Sequence, residues 1–369
     1  MNYLLVCGGT AGHINPALAI AAELRRIDPD VRLLFVGSGR EMENRLIPSA
    51  GYELVNIKMS GLWRGIAPSK LYQNIKTIKN LATAGKEAGK LIDSFKPDAA
   101  IGTGGYICYP VLRKAAEKGI PTYVHEANAI PGLTTKLLGT IVDKVLVSFP
   151  GLEKQYRRPD RVIFTGMPVQ NEFAETAKKR TSAPSGGKPI VVSFWGSLGA
   201  EMMNEPMAEF IKLDIDSGEF RHIHATGKSG GVQEMKNRLK RLGAPEELPD
   251  WIDIREYIYD MPQVMGSADL ILCRAGASTL AELTVTGKPA VLVPSPYVTN
   301  NHQIENAKHL QKTGGAIMLA EKKCTGAELY KTVLSLLNDK AALKKMSDTQ
   351  RSIATPDAAE KIARLVVSG

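Results

Sequence analysis

The chain has 369 residues, 44% of them hydrophobic and 23% charged, with a formal net charge of +9. This length exceeds one ordinary core and suits two domains, and the composition is typical of a soluble globular protein. No apolar run approaches the roughly 18 residues of a membrane span, and the N-terminus lacks the basic lead of a secretory signal. The four cysteines lack the spacing of disulfide or metal sites. Their spacing therefore indicates a reducing cytoplasm.

Short apolar runs alternate with helical segments through the first half of the chain. In chain order, strands are predicted at Tyr3–Cys7, Arg32–Val36, Glu53–Ile57, Ala99–Gly102, Thr122–His125 and Lys144–Val147, with helices such as Pro16–Ile27 and Pro110–Lys118. This rhythm is typical of β-α-β units and predicts a parallel sheet with helices on both faces.

The same rhythm restarts after a hinge near Phe164–Pro168 and a polar loop at 182–187. Further strands are predicted at Ile190–Phe194, His222–Thr226, Ile252–Arg255, Leu270–Cys273, Ala290–Pro294 and Ala316–Leu319, followed by helices at Thr325–Leu337 and Ala358–Val367. We therefore predict an α/β protein with two Rossmann-like domains, 1–164 and 165–355, and a C-terminal helix within 356–369 that packs back on the first domain. Two such domains facing across a cleft resemble the GT-B plan, with ligands at the carboxyl ends of the strands.

Both halves open with a strand, a glycine loop and a helix. In the first half, Gly8, Gly9 and Gly12 allow close approach of a ligand to the backbone, and His13 follows at the mouth of the crevice. The spacing differs from G-x-G-x-x-G, so it is weak support for NAD binding. Alternatively, these glycines only form a tight turn and bind no ligand.

Two glycine-containing loops in the second half have the same form. The first, Gly196-Ser197-Leu198-Gly199, offers amides and a hydroxyl to a diphosphate, and Arg274–Thr279 again opens a helix with small residues. Glu282 lies inside that helix, where it can accept hydrogen bonds from ribose hydroxyls. An acidic residue favoured by the helix dipole is the alternative for Glu282.

Polar side chains follow several other predicted strands. Tyr106, His125, Glu126 and Asn128 come after strands of the first half, and the loop that contains His302 and Gln303 suits sugar hydroxyls. A single histidine is more often structural than catalytic, but the placement of these residues at strand ends on the ligand side favours a functional role.

Basic residues are concentrated in the first half. Residues 1–165 hold 22 basic and 14 acidic residues against 25 and 24 in the remainder, which suggests an anionic ligand or surface. Within Lys58–Lys96, a predicted amphipathic helix joins an aromatic loop, and the residues expected to contact an anionic membrane surface are Leu62, Trp63, Ile75, Lys76, Lys79 and Lys86. Alternatively, this helix packs its apolar stripe against the protein core and exposes its lysines to water, without contacting a membrane.

Seven motifs, taken together, resemble one family. They are Gly8–His13, Gly104-Gly105-Tyr106, His125–Asn128, Thr165–Val169, Gly196–Ala200 with Asn204, Cys273–Thr279 with Glu282, and His302-Gln303. In order and spacing, over essentially the whole chain, they resemble the MurG family.

The resemblance implies a GT-B enzyme that transfers N-acetylglucosamine (GlcNAc) from UDP-GlcNAc to the C4 hydroxyl of N-acetylmuramic acid (MurNAc) in lipid I, giving lipid II. It implies donor binding in the second domain, acceptor and membrane contacts in the first, and a peripheral position on the cytoplasmic face of the membrane beside other cell-wall synthesis proteins. No nucleic-acid partner is expected. The positions predicted to contact substrate are Thr10, Ala11, Gly12, Tyr106, Asn128, Gln170, Ser197, Asn204, Ile258, Arg274, Ala277, Ser278, Thr279, Leu280, Ala281, Glu282 and Gln303.

Four positions depart from the family pattern. Ala11 and Trp195 stand where glycine is usual, Thr135 where asparagine is common, and Gln170 where arginine is usual. The methyl group of Ala11 narrows the approach to a diphosphate, and Gln170 removes a phosphate-facing charge.

An α-linked donor and a β-linked product imply inversion by direct displacement, which needs a base for the acceptor hydroxyl and charge stabilisation for the leaving UDP. His13 is the candidate base, with Glu126 and His125 as alternatives, and helix N-termini at Ser197 and Ala277 are expected to stabilise the diphosphate. No convincing D-x-D motif occurs, so neither a metal nor a cofactor is expected.

The alternative functions are a glycolipid synthase or UDP-GlcNAc 2-epimerase of the same fold, a non-catalytic nucleotide-sugar-binding scaffold, and an NAD-dependent oxidoreductase.

Overall fold

The chain forms two compact units in a computed structural model that describes residues 1–59, 68–179, 187–196, 199–228, 230–298 and 301–369, with side chains described outside 68–79 and 179. The first unit comprises Met1–Gln170 and Thr355–Gly369, and the second comprises Asn171–Ala354. The chain therefore passes out of the first unit and returns to it for its last fifteen residues.

The first unit is a parallel sheet in the strand order β3-β2-β1-β4-β5-β6-β7, with helices between the strands. Numbered along the chain, its strands are β1 (Asn2–Cys7), β2 (Arg32–Gly37), β3 (Glu53–Asn56), β4 (Ala99–Gly104), β5 (Thr122–Glu126), β6 (Lys144–Val147) and β7 (Val162–Phe164). Its helices are α1 (Ala11–Ile27), α2 (Glu41–Ser49), α3 (Pro68–Phe95), α4 (Cys108–Glu117), α5 (Leu133–Leu138) and α14 (Ala358–Ser368), with 3-10 turns at Glu153–Gln155 and Pro159–Arg161.

The central strand β1 shows why the sequence forms this sheet. Leu4 and Val6 belong to the core on one face, whereas Tyr3, Leu5 and Cys7 belong to the core on the other face. A strand buried on both faces needs a continuous apolar run, because successive side chains point to opposite sides of the sheet. This run places the glycine loop that follows it at the centre of the sheet edge.

The C-terminal helix α14 completes one core of the first unit. Ile362, Ala363 and Val366 are buried in the same cluster as residues of α1. The hydroxyl of Tyr123 donates a hydrogen bond of 3.2 Å to the carbonyl oxygen of Leu365. The last helix thus packs on this unit, and the two units divide after Gln170 rather than after residue 164.

The second unit repeats the plan with the strand order β10-β9-β8-β11-β12-β13, all parallel. Its strands are β8 (Ile190–Phe194), β9 (Arg221–Ala225), β10 (Ile252–Arg255), β11 (Leu270–Cys273), β12 (Ala290–Leu292) and β13 (Ala316–Met318). Its helices are α6 (Asn171–Lys179), α7 (Glu201–Ser217), α8 (Val232–Arg241), α9 (Met261–Ser267), α10 (Ala277–Thr286), α11 (His302–Thr313), α12 (Gly326–Asn338) and α13 (Lys340–Ser352), with a 3-10 turn at Glu321–Lys323.

Two elements differ from the sequence-based expectation. Helix α1 begins at Ala11, not at Pro16, because the extended backbone of Thr10 ends the glycine loop directly before the helix. Pro16 therefore lies inside the helix, where it removes one backbone donor. Strand β7 was not predicted, because its last residue, Phe164, was interpreted as the start of the hinge.

The predicted membrane-contact segment is only partly described. Leu62 and Trp63 lie outside the described residues, Ile75, Lys76 and Lys79 fall where helix α3 is described without side chains, and Lys86 is exposed. Among the described residues, no helix combines the length and apolar character needed to cross a membrane.

A polar cluster lies within the core of the second unit. The hydroxyl of Ser193 on β8 lies 2.8 Å from Nε2 of His222 and 2.7 Å from Nδ1 of His224, both on β9. All three side chains are fully buried. Burial lowers the pKa of His224 to about 4, and burial together with the neighbouring charge of His224 lowers the pKa of His222 well below its ordinary value. Both imidazoles are therefore neutral at pH 7.

We predict that the cost of replacing one of these histidines depends on pH. An unfolded histidine binds a proton below about pH 6.5, whereas folded His224 resists protonation until about pH 4, so its contribution to stability falls as the pH decreases between these values. His224→Gln should lower the free energy of unfolding most at pH 7, and this difference should shrink by up to about 1.4 kcal/mol per pH unit below 6.5.

Urea unfolding of the variant and the parent at pH 7, 6 and 5 measures this difference. The comparison must be differential, because burial raises the pKa of Asp214 to about 6 and that of Glu282 to about 8, and these carboxyls act in the opposite sense. A difference that stays constant between pH 7 and pH 5 would contradict the prediction.

Candidate active site

The backbone of the first glycine loop contacts the end of β4 directly. The amide of Gly8 donates a hydrogen bond of 3.0 Å to the carbonyl oxygen of Gly104. Gly104 has a φ of +128°, and a Cβ placed there would lie 2.4 Å from Cδ2 of His13. A Cβ on Gly105 would lie 2.6 Å from the carbonyl oxygen of Gly8. Only glycine allows these three segments to approach so closely.

A hydrogen bond to the backbone fixes the tautomer of neutral His13. Its Nδ1 lies 2.7 Å from the carbonyl oxygen of Gly8. A carbonyl oxygen can only accept a hydrogen bond, so Nδ1 of a neutral His13 carries the proton and Nε2 keeps a lone pair. The hydroxyl of Thr103 fixes the start of α1 from the other side by donating 2.7 Å to the carbonyl oxygen of His13.

A cavity of about 170 Å³ opens beside His13 within the first unit. Its lining includes Thr10 and Tyr106, both predicted to contact substrate, and Arg40, which the sequence did not single out. Tyr106 is 45% exposed. The cavity therefore combines a histidine, a phenol and a guanidinium at the carboxyl ends of β1, β2 and β4.

His125, the second candidate base, is buried. Its Nε2 lies 3.2 Å from the carbonyl oxygen of Gly166 and 3.1 Å from the hydroxyl of Ser148. Burial, with a smaller contribution from the charge of His13, lowers the pKa of His125 to about 4, so it is neutral at pH 7. This geometry favours a supporting role over proton transfer with a substrate, and a catalytic role for His125 stays a prediction.

Glu126, the third candidate, organises the loop that follows β5. Its carboxylate accepts hydrogen bonds from the backbone amide of Asn128 at 3.0 Å, the side-chain amide of Asn128 at 3.3 Å and the amide of Gly132 at 2.8 Å. It also accepts one from the hydroxyl of Thr135, the residue that departs from the family pattern. A buried carboxylate occupied in this way is suited to holding the loop and Asn128, so its role as a base also stays a prediction.

Glu43 at the start of α2 was missed by the sequence analysis. It is fully buried, and its carboxylate accepts hydrogen bonds from Gly9, Ser38, Gly39 and Arg40. It thereby joins the first glycine loop to the turn between β2 and α2. The available signal was an acid in the first turn of a helix that follows a strand and a Gly-Ser-Gly turn, which is a common capping position.

In the second unit, the N-terminus of α10 carries the predicted donor contacts Ala277–Glu282. The helix begins at Ala277 after an extended Gly276. The hydroxyl of Ser278 is buried and has no hydrogen-bond partner among the residues that the structure describes. Burial raises the pKa of Glu282 to about 8, so this carboxyl is largely protonated at pH 7 in the ligand-free protein. A buried hydroxyl and a half-buried carboxyl of this kind are suited to polar groups of a ligand.

Arg274 is engaged with the protein itself. Its Nη1 lies 2.5 Å from Oε2 of Glu321, both side chains being about 90% buried, and donates 2.9 Å to the carbonyl oxygen of Val293. The guanidinium also lies over the ring of Trp195, 5.7 Å from its centroid. These contacts give the unusual Trp195 a packing role, and substrate contact by Arg274 stays a prediction.

The remaining predicted contacts are distributed over helices and loops of the two units. Asn204 and Ile258 are buried, Gln170 is half-buried at the end of the first unit, and the side-chain oxygen of Gln303 accepts 2.9 Å from the amide of Ser295. Ser197 lies outside the described residues. Helix α7 begins at Glu201 rather than at Ser197, because Gly199 has a φ of +76° and Ala200 is extended.

The described residues contain no group of three or more His, Cys, Asp or Glu side chains that could hold a metal ion. The candidate sites present backbone amides, hydroxyls, a carboxyl, an imidazole, a phenol and a guanidinium. Such groups can orient a sugar nucleotide, accept a proton from a hydroxyl and stabilise a departing diphosphate.

Comparison with known proteins assigns this arrangement to a family. Residues 3–147 match the glycosyltransferase family 28 N-terminal domain, and residues 190–362 match its C-terminal domain. The chain is 41% identical to the UDP-N-acetylglucosamine--N-acetylmuramyl-(pentapeptide) pyrophosphoryl-undecaprenol N-acetylglucosamine transferase of Acetivibrio thermocellus, covering 99% of this chain and 97% of that one. It is 37% identical to the Listeria monocytogenes enzyme of the same name, covering 100% and 99%.

Solved structures agree with this assignment. The crystal structure of Acinetobacter baumannii MurG is similar with a TM-score of 0.76 at 26% identity, covering 100% of this chain and 99% of that one. The calicheamicin glycosyltransferase CalG4 has the same fold, with a TM-score of 0.71 at 16% identity and 99% and 97% coverage. The predicted α/β GT-B fold is thus confirmed, and the chain belongs to the MurG family of glycosyltransferases.

Proposed function

We propose that this enzyme transfers GlcNAc from UDP-GlcNAc to the C4 hydroxyl of MurNAc in lipid I, the undecaprenyl-pyrophosphoryl-MurNAc-peptide, and so forms lipid II for peptidoglycan. The observation that carries the proposal is an identity of 37–41% over nearly the whole chain to transferases of that name. Transfer inverts the anomeric carbon in a single displacement.

His13 is the base of this reaction. Its Nε2 takes the proton of the acceptor hydroxyl while the hydroxyl oxygen forms the new bond to the anomeric carbon. The bond from that carbon to the diphosphate breaks, and UDP leaves with the electron pair. The hydrogen bond from Nδ1 of His13 to the carbonyl oxygen of Gly8 supports this role, because it keeps the proton away from Nε2.

The second unit binds the donor. The unpaired amides at the start of α10 stabilise the developing negative charge on the diphosphate, with the buried hydroxyl of Ser278 beside them. Glu282, one turn further along this helix, accepts hydrogen bonds from ribose hydroxyls. Its raised pKa supports this role, because a carboxyl without a charged partner is ready for a ligand that donates hydrogen bonds.

The first unit approaches the cytoplasmic face of the membrane, since its acceptor is held there by a lipid chain. The excess of basic residues lies in this unit, and helix α3 carries exposed lysines in its described part, including Lys86 and Lys90. Anionic headgroups attract such residues. Other cell-wall synthesis proteins are further partners at this surface.

Incubation with UDP-GlcNAc and a soluble lipid I analogue, reading UDP release and the disaccharide product, tests the function. Equal amounts of UDP and β-linked disaccharide are expected. Epimerised sugar nucleotide without a disaccharide would favour the 2-epimerase, and donor binding without turnover would favour the non-catalytic scaffold.

We predict that His13→Ala lowers kcat by roughly 10²–10⁴-fold, the usual contribution of a general base. The dissociation constant for UDP-GlcNAc should change little, because His13 acts on the acceptor. Steady-state kinetics and calorimetry measure the two quantities. If turnover survives nearly intact, His13 is a structural residue, and Glu126 becomes the leading candidate.

Glu282 gives a prediction for the pH dependence of donor binding. Ribose hydroxyls donate to the ionised carboxylate, so the donor should bind more tightly as the pH rises from 6 to about 8 and should reach a plateau above that value. The change should amount to at most about tenfold per pH unit. Calorimetry at pH 6, 7, 8 and 9 measures it.

Glu282→Gln is the matched variant for this measurement, since it keeps the shape of the side chain and removes its titration. It should bind the donor more weakly at pH 8, by on the order of 1–3 kcal/mol, and without the pH dependence. Equal affinity of parent and variant at every pH would exclude Glu282 from the donor site.

Reversal of Lys76, Lys79 and Lys86 to glutamate should abolish binding to vesicles that contain anionic lipids and spare activity on a short-chain soluble acceptor. Each lysine near the surface contributes about 1 kcal/mol of attraction, which is screened by salt. Vesicle sedimentation at increasing salt measures the effect. Reversal of the exposed Lys240, Lys331 and Lys344 of the second unit is the control with an equal change in charge. Undiminished binding by the α3 variant would place the membrane surface elsewhere.

A further inference from the structure

One peptide group links His13 to the buried carboxylate of Glu43. The carbonyl of Gly8 and the amide of Gly9 belong to the same planar peptide unit. The carbonyl oxygen lies 2.7 Å from Nδ1 of His13, and the amide donates a hydrogen bond of 2.6 Å to Oε1 of Glu43. The carboxylate and the imidazole therefore bind opposite ends of one rigid dipole.

Four further hydrogen bonds hold the carboxylate of Glu43 in place. Its Oε2 accepts hydrogen bonds from the amides of Ser38 at 2.6 Å, Gly39 at 2.8 Å and Arg40 at 3.2 Å, and its Oε1 accepts one of 2.7 Å from the hydroxyl of Ser38. The side chain is completely buried. These donors hold the negative charge in one place, so the amide of Gly9 meets a fixed acceptor.

Without the hydrogen bond to Glu43, the orientation of the peptide between Gly8 and Gly9 would not be fixed. Glycine lies on both sides of it, and Gly9 has a φ of +97°, so side-chain sterics do not fix the orientation of this plane. A flip of the plane would turn its amide towards His13 and remove the acceptor of Nδ1. Such a flip would also turn a carbonyl oxygen towards the carboxylate of Glu43, which is repulsive.

We propose that Glu43 is a positioning residue that acts on His13 through the Gly8–Gly9 peptide. It holds the plane with its carbonyl towards His13, selects the tautomer with the proton on Nδ1, and leaves the lone pair on Nε2. The arrangement corresponds to a carboxylate that orients a histidine in a catalytic triad, with a peptide group inserted between the two side chains. Its consequence for turnover rests on the proposed function of His13, whereas its effect on the tautomer does not.

The test is Glu43→Gln, which has nearly the same shape but replaces a charged acceptor by an amide. Nitrogen-15 NMR of labelled histidine at neutral pH reports the tautomer of His13, and comparison with His13→Ala assigns its signals among the six histidines. We expect His13 to be largely in the Nδ1–H form in the parent and to shift towards a mixture in Glu43→Gln.

Kinetics provide the second measurement. Glu43→Gln should lower kcat by about two- to tenfold, in proportion to the fraction of His13 that loses the Nδ1–H form, far less than the about 10⁴-fold seen when a carboxylate bonded directly to a catalytic histidine is neutralised. The KM for UDP-GlcNAc should stay within about twofold. Glu41→Gln removes an equal charge from an exposed position in the same first turn of α2 and should change neither the tautomer nor kcat.

If Glu43→Gln does not fold, Glu43→Asp carries the test. It keeps the charge but shortens the reach to Gly9 by one methylene, and it should give an intermediate shift of the tautomer. An unchanged tautomer in a folded Glu43 variant overturns the proposal and leaves Glu43 as an anchor of the β2–α2 turn. A shifted tautomer without loss of turnover supports the positioning role and overturns instead the assignment of His13 as the base.

Discussion

The close packing of backbone against backbone at the carboxyl ends of β1 and β4 determines the rest of the first unit's site. Gly8, Gly104 and Gly105 occupy positions where a Cβ would overlap His13, the neighbouring carbonyl or the side chain of Ile107. Because no side chain separates the strand ends, His13 can reach back to the carbonyl of Gly8. The proposed action of His13 as the base depends on that contact, and the carboxylate of Glu43 holds the same peptide by its amide.

The two units have the same fold but differ in the surroundings of their titratable side chains. The first holds the carboxylate of Glu43 in a dense set of hydrogen-bond donors, and burial lowers the pKa of its His125 to about 4. The second leaves the carboxyl of Glu282 in an environment that raises its pKa, and pairs the one buried guanidinium among its described residues with Glu321. One unit is therefore arranged before substrate arrives, whereas the other keeps polar groups available for a ligand.

The strands and the order of the two units followed from the sequence, because buried parallel strands require apolar runs such as Leu4–Cys7 and Leu270–Cys273. The strand ends also placed His13 and Ala277–Glu282 correctly on the sheet edges. Glu43 and Glu321 could not be recognised in this way. Each acts on residues more than thirty positions distant in the chain, and a buried acid has no periodic pattern that distinguishes it from an exposed one. Edge strand β7 was missed because its last residue, Phe164, was assigned to the hinge.

The return of α14 to the first unit has a consequence for synthesis on the ribosome. Ile362, Ala363 and Val366 close an apolar surface whose other residues are translated hundreds of positions earlier. The first unit therefore remains incomplete, with part of its core uncovered, while the entire second unit emerges and folds. A chain that stops before Ile362 lacks the residues that cover this surface, so a truncation so far along the chain would expose apolar residues of the unit made first.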